Sequence, residues 1–241
     1  MLSLAVVLVV WEILGRRQPL FASYPTEIAV ATTRVLFRDV VPAFGSTIVG
    51  YAAGLAISIP FAIVIGFGMG RVKLVDIILS PYVNALYVTP RIALIPLLVL
   101  WFGLDFKLRL AIVVLSAIFP MIVNVYAGTR NVDRALLEVA RMFVASGRQR
   151  LLTIVLPSSL PYVFTGLRLG IARALGGVIV AEMTASITGI GRKLLDYGKF
   201  FLVDQLFVGI ICIGIFGLLM TAGLRWVQRR TAPWTETASA R

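Results

Sequence analysis

The stretch that decides the fold runs from Asp133 to Pro157 and reads DRALLEVARMFVASGRQRLLTIVLP. It carries six charged residues and lies between long apolar blocks. Asp133 is typical of a helix N-cap, because its carboxylate can accept hydrogen bonds from the free N–H groups of a first turn. Ser146 and Gln149 have the spacing of a capping box, which predicts a second short helix. That helix is expected to end before Pro157, since the residue preceding a proline avoids the α region. We interpret the stretch as a polar helix pair that serves as a docking element.

The composition places the chain among membrane proteins. Of its 241 residues 59% are hydrophobic and 14% are charged, and the mean hydropathy is +0.96. The chain has no histidine and one cysteine, Cys212, which excludes a disulfide framework and a His/Cys metal site of the usual spacing. The formal net charge of +12 is spread between apolar blocks, so anionic membrane lipids are expected as its counter-charge rather than nucleic acid.

Long uncharged runs predict an all-α integral membrane fold with about six transmembrane helices. Residues 40–70 form the most secure span, because they carry no charge and exceed the roughly 20 residues needed to cross a bilayer. In this run Gly50 and Gly54, and again Gly66 and Gly70, are expected to let a neighbouring helix approach closely. An amphipathic helix over residues 25–37 is expected to lie along the interface. The predicted spans cover residues 1–14, 40–70, 92–104, 110–129, 162–185 and 206–224.

The segment 74–104 is the least regular part of the apolar sequence. Pro81, Pro90 and Pro96 interrupt it. Non-helical backbone at membrane depth is tolerated only where protein or a water-filled cavity covers it. We therefore expect an interfacial helix followed by a short span over residues 92–104, with its irregular backbone covered by protein or facing a cavity.

Three charged residues at membrane depth are candidate pathway residues: Arg91, Arg173 and Glu182. A charge near the bilayer centre costs several kcal/mol and is rare without a partner or a purpose. Nine positions separate Arg173 from Glu182, so the two side chains lie on opposite faces of one helix and cannot pair with each other. In one interpretation each charge pairs with another helix or reaches lipid phosphates. In the other, the excess of arginine lines a path for an anionic solute.

The docking stretch resembles the cytoplasmic coupling motif of ABC importer permeases, which reads E-A-A, then G, then I-x-L-P. The candidate ATPase-coupling residues are Glu138, Val139, Ala140, Val144, Gly147, Ile154, Leu156 and Pro157. Val139 stands where the second alanine is usual, and Val144 stands where glycine is usual. That glycine would form a tight left-handed turn, which a β-branched residue adopts only with strain. Gly147 lies three residues later and does not take its place.

Two further runs, TPRIALIPLLVLWFG and RALGGVIVAEM, resemble the sulfonate, taurine and nitrate branch of the same permeases. The resemblance implies a fold like that of type I ABC importer permeases. It implies a single transmembrane domain over residues 1–241, with its core at about 40–230 and a coupling loop at 130–160. It also implies a permease subunit that moves a small solute by alternating access across a bacterial inner membrane. A sulfonate-, taurine- or nitrate-like anion is expected, and a small heterocycle also fits the sequence.

The resemblance implies partners as well: two ABC ATPase subunits, an extracytoplasmic solute-binding protein and a second permease copy in a homodimer. The chain lacks the motif G-x-x-x-x-G-K-[ST], so ATP and Mg are expected on the ATPase subunits and no cofactor is expected in this chain. No nucleophile–base constellation is recognisable, so we expect no enzymatic activity. A secondary transporter or channel that needs no ATPase is the alternative, and it leaves the docking helix pair without a role.

Overall fold

The computed structural model describes residues 2–17, 22–185 and 188–233. Over these ranges the chain forms eleven α-helices and no β-strand. The helices are α1 (Leu2–Arg17), α2 (Pro25–Val35), α3 (Val41–Arg71), α4 (Lys73–Val88), α5 (Ile95–Phe102), α6 (Phe106–Arg130), α7 (Arg134–Met142), α8 (Gly147–Arg150), α9 (Leu156–Ala185), α10 (Ile190–Lys199) and α11 (Val203–Thr231). Helical turns of other pitch lie between some of them, namely the π-helical turns Leu36–Val40 and Leu151–Val155 and the 3₁₀ turn Arg91–Leu94.

Four helical segments in the described ranges are long and apolar enough to cross a membrane, which confirms the predicted all-α membrane fold. These segments are Pro25–Arg71, Phe106–Arg130, Gly147–Thr184 and Val203–Thr231. The pair formed by α4 and α5 could make a fifth crossing, although it bends by 96°. α1 has 16 residues and is about 24 Å long, shorter than the roughly 30 Å hydrocarbon core. The described ranges therefore hold four candidate crossings, or five with the bent pair, and the sixth span stays a prediction.

Two predicted helix ends are wrong, because the helix continues at both places. The interfacial helix predicted over 25–37 continues through the π turn Leu36–Val40 into α3, and Pro42 lies just beyond. Likewise Leu156 is helical (φ −62°, ψ −53°), so α8 continues through the second π turn into α9 instead of ending before Pro157. In each π turn a backbone N–H bonds five residues back, and this wider turn accommodates the proline that follows.

The predicted short span over residues 92–104 is also wrong as an independent crossing. α5 contains eight residues and is only about 12 Å long. The break after α4 contains Pro90, and Pro96 starts the first turn of α5, so the chain bends there instead of continuing straight. α10 was not predicted either. It is an amphipathic helix in a region to which the sequence assigned no regular structure.

Helices α3, α6 and α9 form the centre of the bundle and are drawn together by glycines. A Cβ added at Gly66 of α3 would lie 2.6 Å from Cβ of Val125 on α6, and one added at Gly166 of α9 would lie 2.8 Å from Cβ of Asn124. The close approach expected for the glycines of α3 is therefore confirmed. α3 and α6 run parallel and α9 runs antiparallel to them. We call the end of the bundle that carries α7 and α8 the coupling end, and the opposite end the distal end.

Candidate coupling surface and transport cavity

α7 begins as its sequence predicts. The Asp133 carboxylate accepts a hydrogen bond from the backbone N–H of Ala135 at 2.8 Å. Ala140 is the buried residue of this helix, while Glu138 and Val139 are exposed. The exposed apolar side chains of α7 and the turn after it form what we call the coupling surface, made by Leu136, Val139, Met142, Phe143 and Val144. Such a contiguous apolar patch on a helix rich in charged residues is typical of a protein–protein contact.

The turn after α7 holds Val144 in the left-handed conformation, although valine stands where the motif usually has glycine. Its φ is +53°, and its N–H donates to the carbonyl of Arg141 at 2.9 Å. The N–H of Ala145 donates to the carbonyl of Ala140 at 3.0 Å. These two bonds define a Schellman motif, whose left-handed position is usually occupied by glycine. A valine in this conformation is strained, because its Cβ approaches the following carbonyl.

The second short helix is also confirmed. The Ser146 N–H donates to Oε1 of Gln149 at 2.7 Å, and the Gln149 N–H donates to Oγ of Ser146 at 3.2 Å. Gly147 starts α8 in an exposed position and not in the left-handed turn, as expected. Ile154 lies in the π turn, while Leu156 and Pro157 begin α9. The second half of the motif thus joins the coupling end directly to the central bundle.

Two of the three candidate pathway residues, Arg91 and Arg173, meet at one place. Arg91 lies on the 3₁₀ turn at the bend between α4 and α5, and Arg173 lies in the middle of α9. Both line a cavity of about 300 Å³ between these elements and α6, and both line a second cavity of about 290 Å³ beside it. The proline-broken backbone around Pro90 and Arg91 therefore faces a cavity, as expected for irregular backbone at this depth.

The shared cavity region is strongly cationic. Nε of Arg91 donates to the carbonyl of Leu115 at 3.3 Å. Among the described residues, Arg173 makes no hydrogen bond or ion pair with the protein. No carboxylate in the described part of the chain lines either cavity. The region is well suited to a bound anion, because each guanidinium offers several N–H donors in a fixed plane.

The third candidate, Glu182, does not line this region. Its side chain is fully buried at the distal end of α9, where Oε1 accepts from Arg109 at 3.1 Å. Sequence reasoning missed Arg109, since it was placed in a loop before a span starting at residue 110. In the structure α6 begins at Phe106, capped by Asp105, so Arg109 lies inside the helix. The expectation that Arg173 and Glu182 do not pair is confirmed, because each lies in a separate place.

The remaining titratable groups offer little chemistry. Among the residues that the structure describes, no cluster of three or more His, Cys, Asp and Glu side chains is placed to hold a metal ion. Cys212 is a free cysteine, partly buried in α11. Burial raises the pKa of Tyr197 on α10 to about 12, with a contribution from the carboxylates of Asp39 and Asp204, so its hydroxyl stays neutral at physiological pH.

These features define a multi-pass helical membrane permease with a docking element at one end and a cationic cavity in its middle. Residues 58–235 match the family of binding-protein-dependent transport system inner membrane components. The chain belongs to this family and is a permease subunit of an ATP-binding-cassette importer.

Sequence and structure relatives agree with this assignment. The chain is 30% identical to the aliphatic sulfonates transport permease protein SsuC of Bacillus subtilis, over 95% of this chain and 85% of SsuC. It is also 30% identical to the taurine transport system permease protein TauC of Escherichia coli, over 96% and 88% of the two chains. A chain of the MetNI methionine ABC transporter in an inward-facing conformation shares the fold, with a TM-score of 0.58, 16% identity and coverage of 85% and 97%.

Proposed function

We propose that this chain imports a small anion of the sulfonate kind and that it does so without catalytic residues of its own. It forms a homodimer in a bacterial inner membrane, with two ATPase subunits on its cytoplasmic face and an extracytoplasmic solute-binding protein on the other. The observation that carries the proposed substrate class is the convergence of Arg91 and Arg173 on cavities without a lining carboxylate. The names of the sulfonate and taurine permeases support the same class.

Two cations, Arg91 and Arg173, share one place in an apolar bundle. A cation held away from water needs a counter-charge, and two neighbouring cations need it more. Arg91 is partly buried and shares its cavities with Arg173, and no carboxylate of the described residues lines them. A passing anion supplies this counter-charge, so the field lowers the barrier for anions and raises it for cations.

The size and shape of the site fit a small oxyanion. A cavity of about 300 Å³ holds a solute of a few heavy atoms, at the lower end of the range for small-molecule sites. The fork of a guanidinium matches oxygen atoms of a sulfonate or nitrate with two parallel N–H donors. Aliphatic wall residues such as Ile112 and Val180 add contact area without polar competition.

Coupling to ATP follows from the continuity of one helical segment. The segment Gly147–Thr184 begins beside the coupling surface and contains Arg173. At 1.5 Å per residue, Arg173 lies about 39 Å along it from Gly147. ATP-driven closure of the partner subunits moves the coupling surface, and this continuous segment carries the movement to the cationic cavity. Alternating access then exposes the cavity to one side of the membrane at a time.

The coupling role is proposed for the candidate coupling residues as a set. Glu138 is exposed at the side of the coupling surface and offers a carboxylate to a cleft on the ATPase. Val144 sets the turn that lets α8 fold back toward the bundle. Because the chain lacks a phosphate-binding loop, ATP and Mg bind to the ATPase subunits. A secondary transporter or channel would retain uptake when the phosphate-binding lysine of that ATPase is replaced, whereas this proposal requires uptake to stop.

The substrate class is tested by Arg173→Gln, with Arg168→Gln as a matched control. Arg168 is also on α9, donates to Gln228 at 3.3 Å and does not line either cavity. A charge-assisted hydrogen bond is worth about 1.5–3 kcal/mol, so the Arg173 variant should lose roughly tenfold or more in taurine uptake. The Arg168 variant should behave as the unmodified chain.

Assembly is checked in the same preparations by gel filtration with the ATPase subunits. Retained assembly with a selective loss of anion uptake supports the proposed site. Unchanged uptake by Arg173→Gln contradicts it. Loss of the folded dimer in that variant assigns Arg173 a structural role, and the argument for an anionic substrate then fails.

A further inference from the structure

The most completely buried charge in the described structure is Glu182, and its surroundings come from four helices. Its carboxylate accepts from Nη1 of Arg109 on α6 at 3.1 Å and from Oγ1 of Thr47 on α3 at 2.9 Å. It also accepts from the backbone N–H of Gly191 in the first turn of α10 at 2.9 Å. Glu182 itself belongs to α9, so a single carboxylate joins α3, α6, α9 and α10 at the distal end.

The segment before α10 fits this carboxylate closely. Gly189 has a φ of +108°, and a Cβ there would collide with the carboxylate of Glu182. A Cβ on Gly191 would lie 2.6 Å from the carbonyl oxygen of Ile179. Oγ1 of Thr47 accepts from the N–H of Ile190 at 2.9 Å while it donates to Glu182. Any side chain at the two glycine positions would push α10 away from the bundle.

A second set of contacts reinforces the same junction. Nη1 of Arg109 donates to Oγ of Ser46 at 2.8 Å and to its carbonyl at 3.2 Å. The hydroxyl oxygens of Ser46 and Thr188 lie 3.0 Å apart. We call the group formed by Ser46, Thr47, Arg109, Glu182 and Gly191 the distal junction. Opening the distal junction would leave Glu182 and Arg109 as unpaired charges in an apolar bundle.

The α4–α5 pair borders several cavities. That pair lies against the two cationic cavities and a further apolar cavity of about 480 Å³ beside Trp101. Cavities leave their lining residues without contacts on one side, so the elements around them shift at little cost. A cavity of about 460 Å³ also borders the distal junction at Ser46 and Thr188, but there the buried carboxylate of Glu182 holds the surrounding helices by hydrogen bonds. The junction includes α9, which carries Arg173.

We propose that Glu182 is a positioning residue of the transport cycle. It ties α10 to the distal ends of α3, α6 and α9 in a junction that stays closed in every step, so these four helices move as one body. Glu182 acts through α10 and does not contact the solute. This role differs from that of Arg91 and Arg173.

A disulfide across the junction tests whether it stays closed. Ser46→Cys and Thr188→Cys are introduced together after Cys212→Ser, and the hydroxyl separation of 3.0 Å brings the two sulfurs within reach of a bond. Taurine uptake, chosen on the proposed function, is measured in the oxidised and the reduced complex. Equal uptake in both states is expected. Uptake that stops on oxidation and returns with reductant shows that the junction must open, and overturns the proposal.

A rescue experiment tests the positioning role itself. Glu182→Gln keeps an oxygen that can accept from Thr47 and Gly191 but leaves Arg109 without a counter-charge. Uptake is expected to fall about tenfold or more. The Ser46–Thr188 disulfide should restore it, whereas either single cysteine should not. Undiminished uptake in Glu182→Gln, or an assembled complex that the disulfide does not restore, overturns the proposal.

Two further arms keep the outcome decisive. If Glu182→Gln does not assemble, the same rescue is measured on the pair Arg109→Met and Glu182→Met, which removes both buried charges together. The same two results then support or overturn the role. Absence of taurine uptake in the unmodified complex would show instead that the proposed substrate class is wrong. The disulfide comparison is then repeated with ATP hydrolysis by the assembled complex as the readout.

Discussion

Replacing Val144 by glycine should stabilise the permease, because the structure holds this valine in a conformation that suits glycine. Its φ is +53° at the left-handed position of the Schellman motif after α7. The left-handed conformation costs a residue with a Cβ roughly 1–2 kcal/mol. Glycine removes this cost but loses about 0.5–1 kcal/mol more backbone freedom on folding. The side chain is 88% exposed, so little packing is lost. The expected net gain is therefore roughly 0.5–1 kcal/mol.

The assay is thermal unfolding of the permease in detergent without its ATPase, so that lost contacts to the partner do not enter. For a chain of this size the gain corresponds to a rise in Tm of roughly 1–4 °C. Val144→Ala is the control, since it retains the Cβ that causes most of the strain and should gain less. A lower Tm for Val144→Gly, or equal gains for glycine and alanine, would refute the assignment of strain to this backbone conformation.

Three further predictions concern charge and packing. Glu138→Arg places a cation at the coupling surface, so ATP-driven uptake should fall about tenfold or more while membrane insertion persists; normal uptake with a bound ATPase contradicts this. Gly166→Leu forces α9 away from Asn124 on α6, and dimer recovery in detergent should drop sharply. Normal recovery would show that the packing between α6 and α9 can adjust to the larger side chain. Arg109→Met leaves the buried Glu182 without its counter-charge and should cost about 3–5 kcal/mol of stability, most of it recovered when Glu182→Met is added; melts of the single and double variants decide this.

Features set by neighbouring residues were predictable from the sequence. The cap at Asp133 and the capping box of Ser146 and Gln149 depend on a few adjacent positions, and each is present. The valine at position 144 left the geometry of the next turn open, and the structure shows that it is left-handed. The long uncharged runs likewise predict the spans, since bilayer thickness sets a minimum length. The rule for the residue before proline failed at Leu156, because a π turn absorbs the proline and the helix continues.

Contacts between distant residues were not predictable in the same way. Arg109 and Glu182 are 73 positions apart, and no periodic pattern connects them. Only the antiparallel packing of α6 against α9 brings their distal ends together. Arg91 and Arg173 line the same cavity because the chain bends by 96° between α4 and α5. The sequence shows the prolines at this bend, but it does not show the direction in which the chain bends. Arg91, Arg173 and Glu182 could be identified from the sequence, whereas Arg109 and the contacts of all four residues required the fold.

The most direct test of the account measures taurine uptake into proteoliposomes that contain this permease, its ATPase subunits and the solute-binding protein. ATP is supplied on the side of the coupling surface, and the intact ATPase is compared with a variant whose phosphate-binding lysine is replaced by alanine. The account predicts that uptake requires ATP and falls to background with the lysine variant, while the complex still assembles. Uptake that continues at the intact rate without a working ATPase would contradict it.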